Sequence, residues 1–204
     1  MFNPAYRIIT PRLTLRCYNP SDAVLLANSV TESLSHLLPW MPWASAEPEA
    51  LITKIERLRR LRSNFDQNID FVYGIFNPAE NCLIGGTGLH PRVGSGGLEI
   101  GYWIHKDYIN KGYATEASAA LTKIAFSVHE VDRVEIHCAI ENTRSVAVPR
   151  KLEYKHEATL HNRSYANGHI SDQMVWSLFA DEYPNTPSAK SEIAAYDAAE
   201  RRIL

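Results

Sequence analysis

Nothing in this sequence favours a polyanion or a lipid surface. Its 21 basic and 23 acidic residues nearly cancel, leaving a net charge of −2. That balance gives no electrostatic case for nucleic acid or for a membrane as a main partner. No run approaches the ~18 apolar residues of a spanning helix, and Met1-Phe-Asn-Pro-Ala-Tyr-Arg7 lacks the charged-then-apolar pattern of a signal segment. Cysteine is scarce. Cys17 and Cys138 lie in apolar strand-like runs and Cys82 opens another, so buried reduced thiols of a cytoplasmic protein are the reading. There is no Gly-Lys-Ser/Thr and hence no P-loop. Gly94-Ser-Gly-Gly-Leu-Glu99 fails as a dinucleotide fingerprint because Glu99 stands at its third glycine position. The eight histidines show no ligand spacing, so no metal is expected.

What is present is a chain of 204 residues with alternating strand and helix patterns and no repeat or linker. Leu13-Thr-Leu-Arg-Cys-Tyr18 alternates as a first strand. A helix follows from Asn19-Pro-Ser-Asp22 through Leu34 and ends at Leu37-Leu-Pro-Trp-Met-Pro-Trp43, where two prolines stop it. Trp40 and Trp43 in that loop are either a plug over the core or the aromatic wall of a substrate site. Ser45 to Glu49 is expected to start a second helix with Leu51, Ile52, Ile55, Leu58 and Leu61 inward, and Lys54, Arg57, Arg59, Arg60 and Arg62 solvated. Strands are expected at Phe71–Phe76, Cys82–His90 and Leu98–His105. The glycines Gly85, Gly86 and Gly88 point to a bulge or a close backbone approach.

Strand Leu98–His105 and the helix from Gly112 through Leu121 are the centre of the chain. The Asn110-Lys111-Gly112 loop between them exposes backbone N–H groups at a helix start, a ready anion site for a phosphate-bearing cofactor. Period-two geometry places Glu99, Gly101 and Trp103 on one face. A carboxylate in so apolar a strand needs a reason: a general base, or a salt bridge near the hairpin end. Further on come a strand with Val134, Ile136, Cys138 and Ile140 on one side, a short helix opened by Asn142, and two strands joined at Asn167-Gly168. Ser188 to Leu204 has helical spacing at Ile193, Tyr196, Ala199 and Ile203. The class is α/β (α+β) with one mixed sheet, over residues 1–183, followed at 184–204 by a tail or an extra helix.

The order of elements resembles the GNAT acetyltransferase superfamily, in its ribosomal-protein N-terminal acetyltransferase (RimJ/RimL-like) branch. The residues that carry the resemblance are Thr10-Pro-Arg-Leu-Thr-Leu-Arg16, Leu38-Pro-Trp40, Glu99-Ile-Gly-Tyr-Trp103, Lys111-Gly-Tyr-Ala-Thr-Glu-Ala117, and Asn142 with Ser145 ahead of Val148-Pro-Arg-Lys-Leu152. The sequence leaves the pattern at Ile109-Asn110 and at Glu153, where relatives carry a glycine that ends a helix. The resemblance implies a mostly antiparallel sheet of about seven strands flanked by helices and splayed at its centre. It implies acetyl-CoA as donor and CoA as product. The pyrophosphate is then expected on Asn110, Lys111, Gly112, Tyr113, Ala114 and Thr115, and the pantetheine arm along Trp103 and Ile104. Asn142 is expected to contact the arm or to cap its helix. Glu99 is the candidate base, and Ser145 the candidate acid for the departing thiolate or a solvated helix residue. Trp40 and Trp43 are candidates for the acceptor wall. The acceptor is an amine, of a protein N-terminus or of a small molecule; a monomer and a homodimer both stay open. A non-catalytic acyl-CoA binder is the remaining alternative. An α-amine, with pKa near ~8, asks less of a weak carboxylate base than a lysine near ~10.4.

Overall fold

A computed structural model of the chain describes residues 4–204. In chain order the elements are β1 (Arg7–Ile9), β2 (Thr14–Cys17), α1 (Ala23–Leu37), α2 (Leu51–Asp66), β3 (Phe71–Phe76), β4 (Leu83–His90), β5 (Gly97–Ile104), α3 (Tyr113–Ser127), β6 (Arg133–Ala139), α4 (Thr143–Lys151), β7 (Lys155–Ala166), β8 (His169–Phe179) and β9 (Ala194–Tyr196). The strands form one sheet in the order β7-β8-β6-β5-β4-β3-β2-β1-β9. Every neighbouring pair is antiparallel except β5 and β6. These two run parallel and pair only over Gly97–Glu99 with Arg133–Glu135. Beyond Glu99 they separate: β6 stays with β8 along its whole length, and β5 from Ile100 to Ile104 keeps β4 alone.

Alternation along β5 and β6 divides the molecule. Ile100, Tyr102 and Ile104, with Val134, Ile136 and Cys138, turn toward α3 and α4 and pack with Ala117, Ala120, Leu121 and Ile124. Alanines in the first half of α3 bring its backbone close to the sheet, and fully buried Leu121 and Ile124 each stabilise by about 1.5–3 kcal/mol. The opposite face is covered by α1 and α2, through Leu26, Val30, Leu37 and Leu58 over Tyr18, Phe76 and Leu83, and Trp103 packs into that cluster. The glycines of β4 serve this packing. A Cβ on Gly86 would sit 2.5 Å from the Trp103 indole nitrogen, and one on Gly85 would strike the Trp103 carbonyl. Close approach is thus their reason, and the register with β3 also shifts beside Gly85.

Four local expectations change. The sheet has nine strands rather than about seven, because β1 and β9 hold three residues each, too few for alternation to show. The segment beyond Pro184 carries no long helix. It runs through a short turn to β9, which pairs with β1 and buries Ala195, while Ile193, Ile203 and Leu204 pack against the core. Asp197 breaks the helical spacing by accepting the N–H groups of Ala199 and Arg201 in a turn. α2 begins at Leu51, not near Ser45, since Pro42–Ala46 forms a 3-10 turn; Leu51 and Ile52 are exposed. On its supposedly solvated side Lys54 is 1% exposed, in an ion pair with equally buried Glu47 and 3.8 Å from Glu49.

Glu153, by contrast, takes the left-handed turn (φ +62°) that glycine would take, so the departure from the family pattern changes the residue and not the backbone. No helix among the described residues is long and apolar enough to cross a membrane.

Candidate active site

The separation of β5 from β6 opens a groove of about 730 Å³ that reaches the start of α3. Asn110 (φ +61°) and Gly112 (φ +83°) are both left-handed and turn the loop into the helix. The first intrahelical bond there is from Glu116 N–H to Gly112 O, at 3.0 Å. The N–H groups of Tyr113, Ala114 and Thr115 therefore stand free at the positive end of the helix, among the residues that line the groove. Arg12 braces the loop from outside: it donates to Lys111 O (3.0 Å), pairs with Glu116 (2.6 Å) and lies over the Tyr113 ring. Glu116, a carboxylate in the first turn, is thereby neutralised; Thr10 Oγ1 also donates to it (2.6 Å). Asn110, Gly112, Tyr113, Ala114, Thr115, Trp103, Ile104 and Asn142 all line the groove, as do the cations Arg144 and Lys151 of α4. Lys111 is not brought there: its ammonium sits 5.2 Å over the Tyr108 ring.

The far end of the groove meets a second cavity of about 830 Å³, and Trp40, Met41, Tyr102, Trp103, Asn142 and Ser145 border both. At this junction Asn142 Oδ1 accepts the Ser145 N–H (3.1 Å), so the asparagine caps α4 and fixes Ser145. The Tyr102 hydroxyl donates to Ser145 O (3.1 Å) and lies 3.0 Å from Ser145 Oγ. Burial pushes the Tyr102 phenol up, against the Ser145 hydrogen bond, so the phenol is protonated at neutral pH.

The second cavity lies on the other face of β5. Trp43 packs edge-on against Trp103 (6.1 Å), and both Trp40 and Trp43 line this cavity, Trp40 bordering the groove as well. Glu99 also lines it, and the salt-bridge alternative holds for this residue. Arg92 grips both carboxylate oxygens, at 2.8 and 2.6 Å. Burial pushes the Glu99 carboxyl up. The Arg92 hydrogen bonds and charge, with His137 and His90, outweigh that and hold it below the usual carboxylate range.

Arg92, Tyr102, His90 and His137 are cavity residues that reading the sequence did not single out. Tyr102 was legible as the residue alternating with Trp103. His137 was legible as a polar member of the strand whose other side is Val134, Ile136 and Cys138. Arg92 lies in a loop with no period to mark it.

The sheet is thus opened along one strand edge, with free helix-start N–H groups at one end of the groove and a second cavity at the other. A family model described as Acetyltransferase (GNAT) domain matches residues 12–155. The chain belongs to this family and is an acetyl-CoA-dependent N-acetyltransferase. It is similar to YdaF of Bacillus subtilis (strain 168), named provisionally as a ribosomal N-acetyltransferase. The two are 28% identical over 177 residues, 86% of this chain and 95% of the relative. It is also similar to the ribosomal protein uS5-alanine N-acetyltransferase of Escherichia coli (strain K12), 24% identical over 182 residues, 88% of this chain and 94% of the relative. In fold it matches Mycobacterium smegmatis RimJ in complex with CoA-disulfide. That match has a TM-score of 0.82 at 21% identity and covers 93% and 95% of the two chains.

Proposed function

We propose that the protein transfers the acetyl group of acetyl-CoA to the free α-amine of a protein or peptide N-terminus, by direct attack in a ternary complex. The observation that carries this reading is the junction of two cavities at Tyr102, Trp103, Asn142 and Ser145. A donor in the groove and an acceptor in the cavity meet only there. The groove suits the donor: free amides at Tyr113–Thr115 for its pyrophosphate, Arg144 and Lys151 for its further charge, and the open backbone of Ile100–Ile104 for the amides of its pantetheine arm. The acceptor cavity of about 830 Å³ is walled by tryptophans and is roomy for a peptide end. The names of the relatives support the same substrate class.

The chemistry divides between the two faces of β5. On the acceptor side the ionised Glu99, fixed by Arg92, attracts the amine and aims it at the junction. A backbone N–H near Trp103 polarises the thioester carbonyl. On the donor side the Ser145 hydroxyl, backed by the Tyr102 phenol, supplies a proton to the departing thiolate.

The test is steady-state release of CoA thiol from acetyl-CoA. The panel is short peptides with free N-terminal serine or alanine, the same peptides N-formylated but carrying an internal lysine, and spermidine and free amino acids. Turnover is expected with the free N-termini and not with the blocked ones. Turnover of the small amines alone would sink the proposal.

A further inference from the structure

We infer that His137, held by Glu135, is the general base that takes the proton from the acceptor amine. This rests on reading the large cavity as the acceptor site, and it moves the base from Glu99 to a residue on the neighbouring strand. Glu99 is poorly suited to the task because both its oxygens are engaged by Arg92, whose charge and hydrogen bonds favour the ionised carboxylate.

His137 stands on the polar side of β6, two residues past the last parallel pair, Glu99 with Glu135, and so beside the opening between the strands. Its Nε2 lies 2.6 Å from Glu135 Oε2, and the other Glu135 oxygen accepts from Arg133 Nε at 2.7 Å. The carboxylate therefore takes the Nε2 proton and fixes the ring. Nδ1 is left as the basic nitrogen, with no hydrogen-bond donor reaching it among the described residues and with Glu99 Oε2 3.8 Å away. A carboxylate that orients an imidazole whose other nitrogen faces the reacting group is the arrangement a general base needs.

The other groups around the ring are accounted for. Arg92 is committed to Glu99 and Arg133 to Glu135. The β8 residue opposite His137 is the uncharged Val175, and Arg163 of the β7 strand lines the same cavity. A second histidine, His90, pairs with Asp70 at 2.6 Å. It lies on β4, on the far side of β5 from the opening, with its Nε2 packed against Gly88 and Gly101.

In the step, the nitrogen pair of the neutral acceptor amine attacks the thioester carbon as Nδ1 takes a proton from that nitrogen. The carbonyl re-forms as the C–S bond breaks, and the thiolate is protonated at the Ser145–Tyr102 pair. The imidazolium gives its proton to solvent and the pair regains one from it, so the proton the ammonium lost before attack is the one that leaves per acetyl group.

The test compares wild type with H137Q, E135Q, E99Q and H90Q, using the peptide acceptor of the steady-state panel. CoA affinity measured by calorimetry reports an intact donor site. In wild type, log kcat/KM should fall on the acid side with a final slope of two, one proton on the amine and one on the base. H137Q should lose roughly 10²-fold or more, keep CoA affinity within about twofold and fall with a slope of one. E135Q should keep the slope of two and CoA affinity but lower kcat/KM, because the carboxylate that fixes the ring and its tautomer is gone. Nitrogen-15 spectra of the imidazole should show the Nε2–H form. A slope of two in H137Q, its loss in H90Q or E99Q instead, or an Nδ1–H ring would overturn the assignment. Turnover that survives H137Q leaves the acceptor reading standing and removes the base alone; failure of every amine in the panel removes both.

Discussion

Replacing Arg92 by methionine removes the one full positive charge that grips Glu99, and the consequence is calculable in sign. The Glu99 side chain is 10% exposed and that of Arg92 59%. Hydrogen bonds to a charged group contribute about 1.5–3 kcal/mol when sheltered. Solvent around the guanidinium screens the pair, so a net loss of about 1–2 kcal/mol near pH 7 is the reasonable figure. In wild type the folded carboxyl titrates below its unfolded value. Its contribution is then complete above the unfolded value and is lost as pH falls through the folded one. In the variant, burial is opposed only by His137 and His90, and the folded carboxyl rises above the unfolded value. The variant is then penalised most where Glu99 must ionise and least where it is protonated. Urea unfolding followed by tryptophan fluorescence should give a wild-type-minus-variant difference that shrinks from about pH 7 to about pH 4. Buried His129, lowered to about 4, changes stability over the same range in both proteins and cancels in the difference. A difference that stays constant with pH would show that Arg92 supports the site by packing and not by its charge on Glu99.

Three further outcomes are expected. Glu47→Ala leaves the buried Lys54 ammonium with Glu49, 3.8 Å away, as its remaining carboxylate and should destabilise by about 3 kcal/mol, whereas Glu47→Leu with Lys54→Met should recover most of that in denaturant titrations. Glu153→Gly relieves a left-handed residue after α4 and should stabilise by about 1 kcal/mol, read as a rise of about 2–4 °C in Tm. Ser145→Ala and Tyr102→Phe should each lower kcat by about 10²-fold while CoA binding holds, and the double variant should lose less than the product of the two if they act as one hydrogen-bonded pair.

Much of this molecule could be read from its sequence because its middle elements are long and strongly periodic. Leu98–His105 showed which residues share a face with Glu99, and Asn142 announced the cap that fixes Ser145. What stayed hidden depends on registration between distant segments. His137 approaches Glu99 only because Glu99 pairs with Glu135 across a parallel step, and no local pattern states that register. Arg92 meets Glu99 through an irregular loop. Lys54 looked solvated because a charged residue on an amphipathic helix usually is; the carboxylate that buries it stands before the helix begins. The C-terminal strand escaped for the opposite reason, since its residues mimic a helical period that the Asp197 turn interrupts.

The two halves of the sheet are joined by just three facing residue pairs, Gly97 to Glu99 against Arg133 to Glu135, before they diverge. In a sheet so nearly divided, β1–β5 with β9 and β6–β8 are candidates for separate cooperative units that open with different free energies. The unpaired edge from Ile100 to Ile104 should then exchange its free amide protons quickly in the empty protein. An extended molecule bonded along that edge would slow the exchange and couple the halves, adding about 2.7 kcal/mol of apparent stability at a hundredfold excess over its Kd. A donor bound there would be a temporary strand of the fold, so that occupancy could be followed by amide exchange with no reaction taking place.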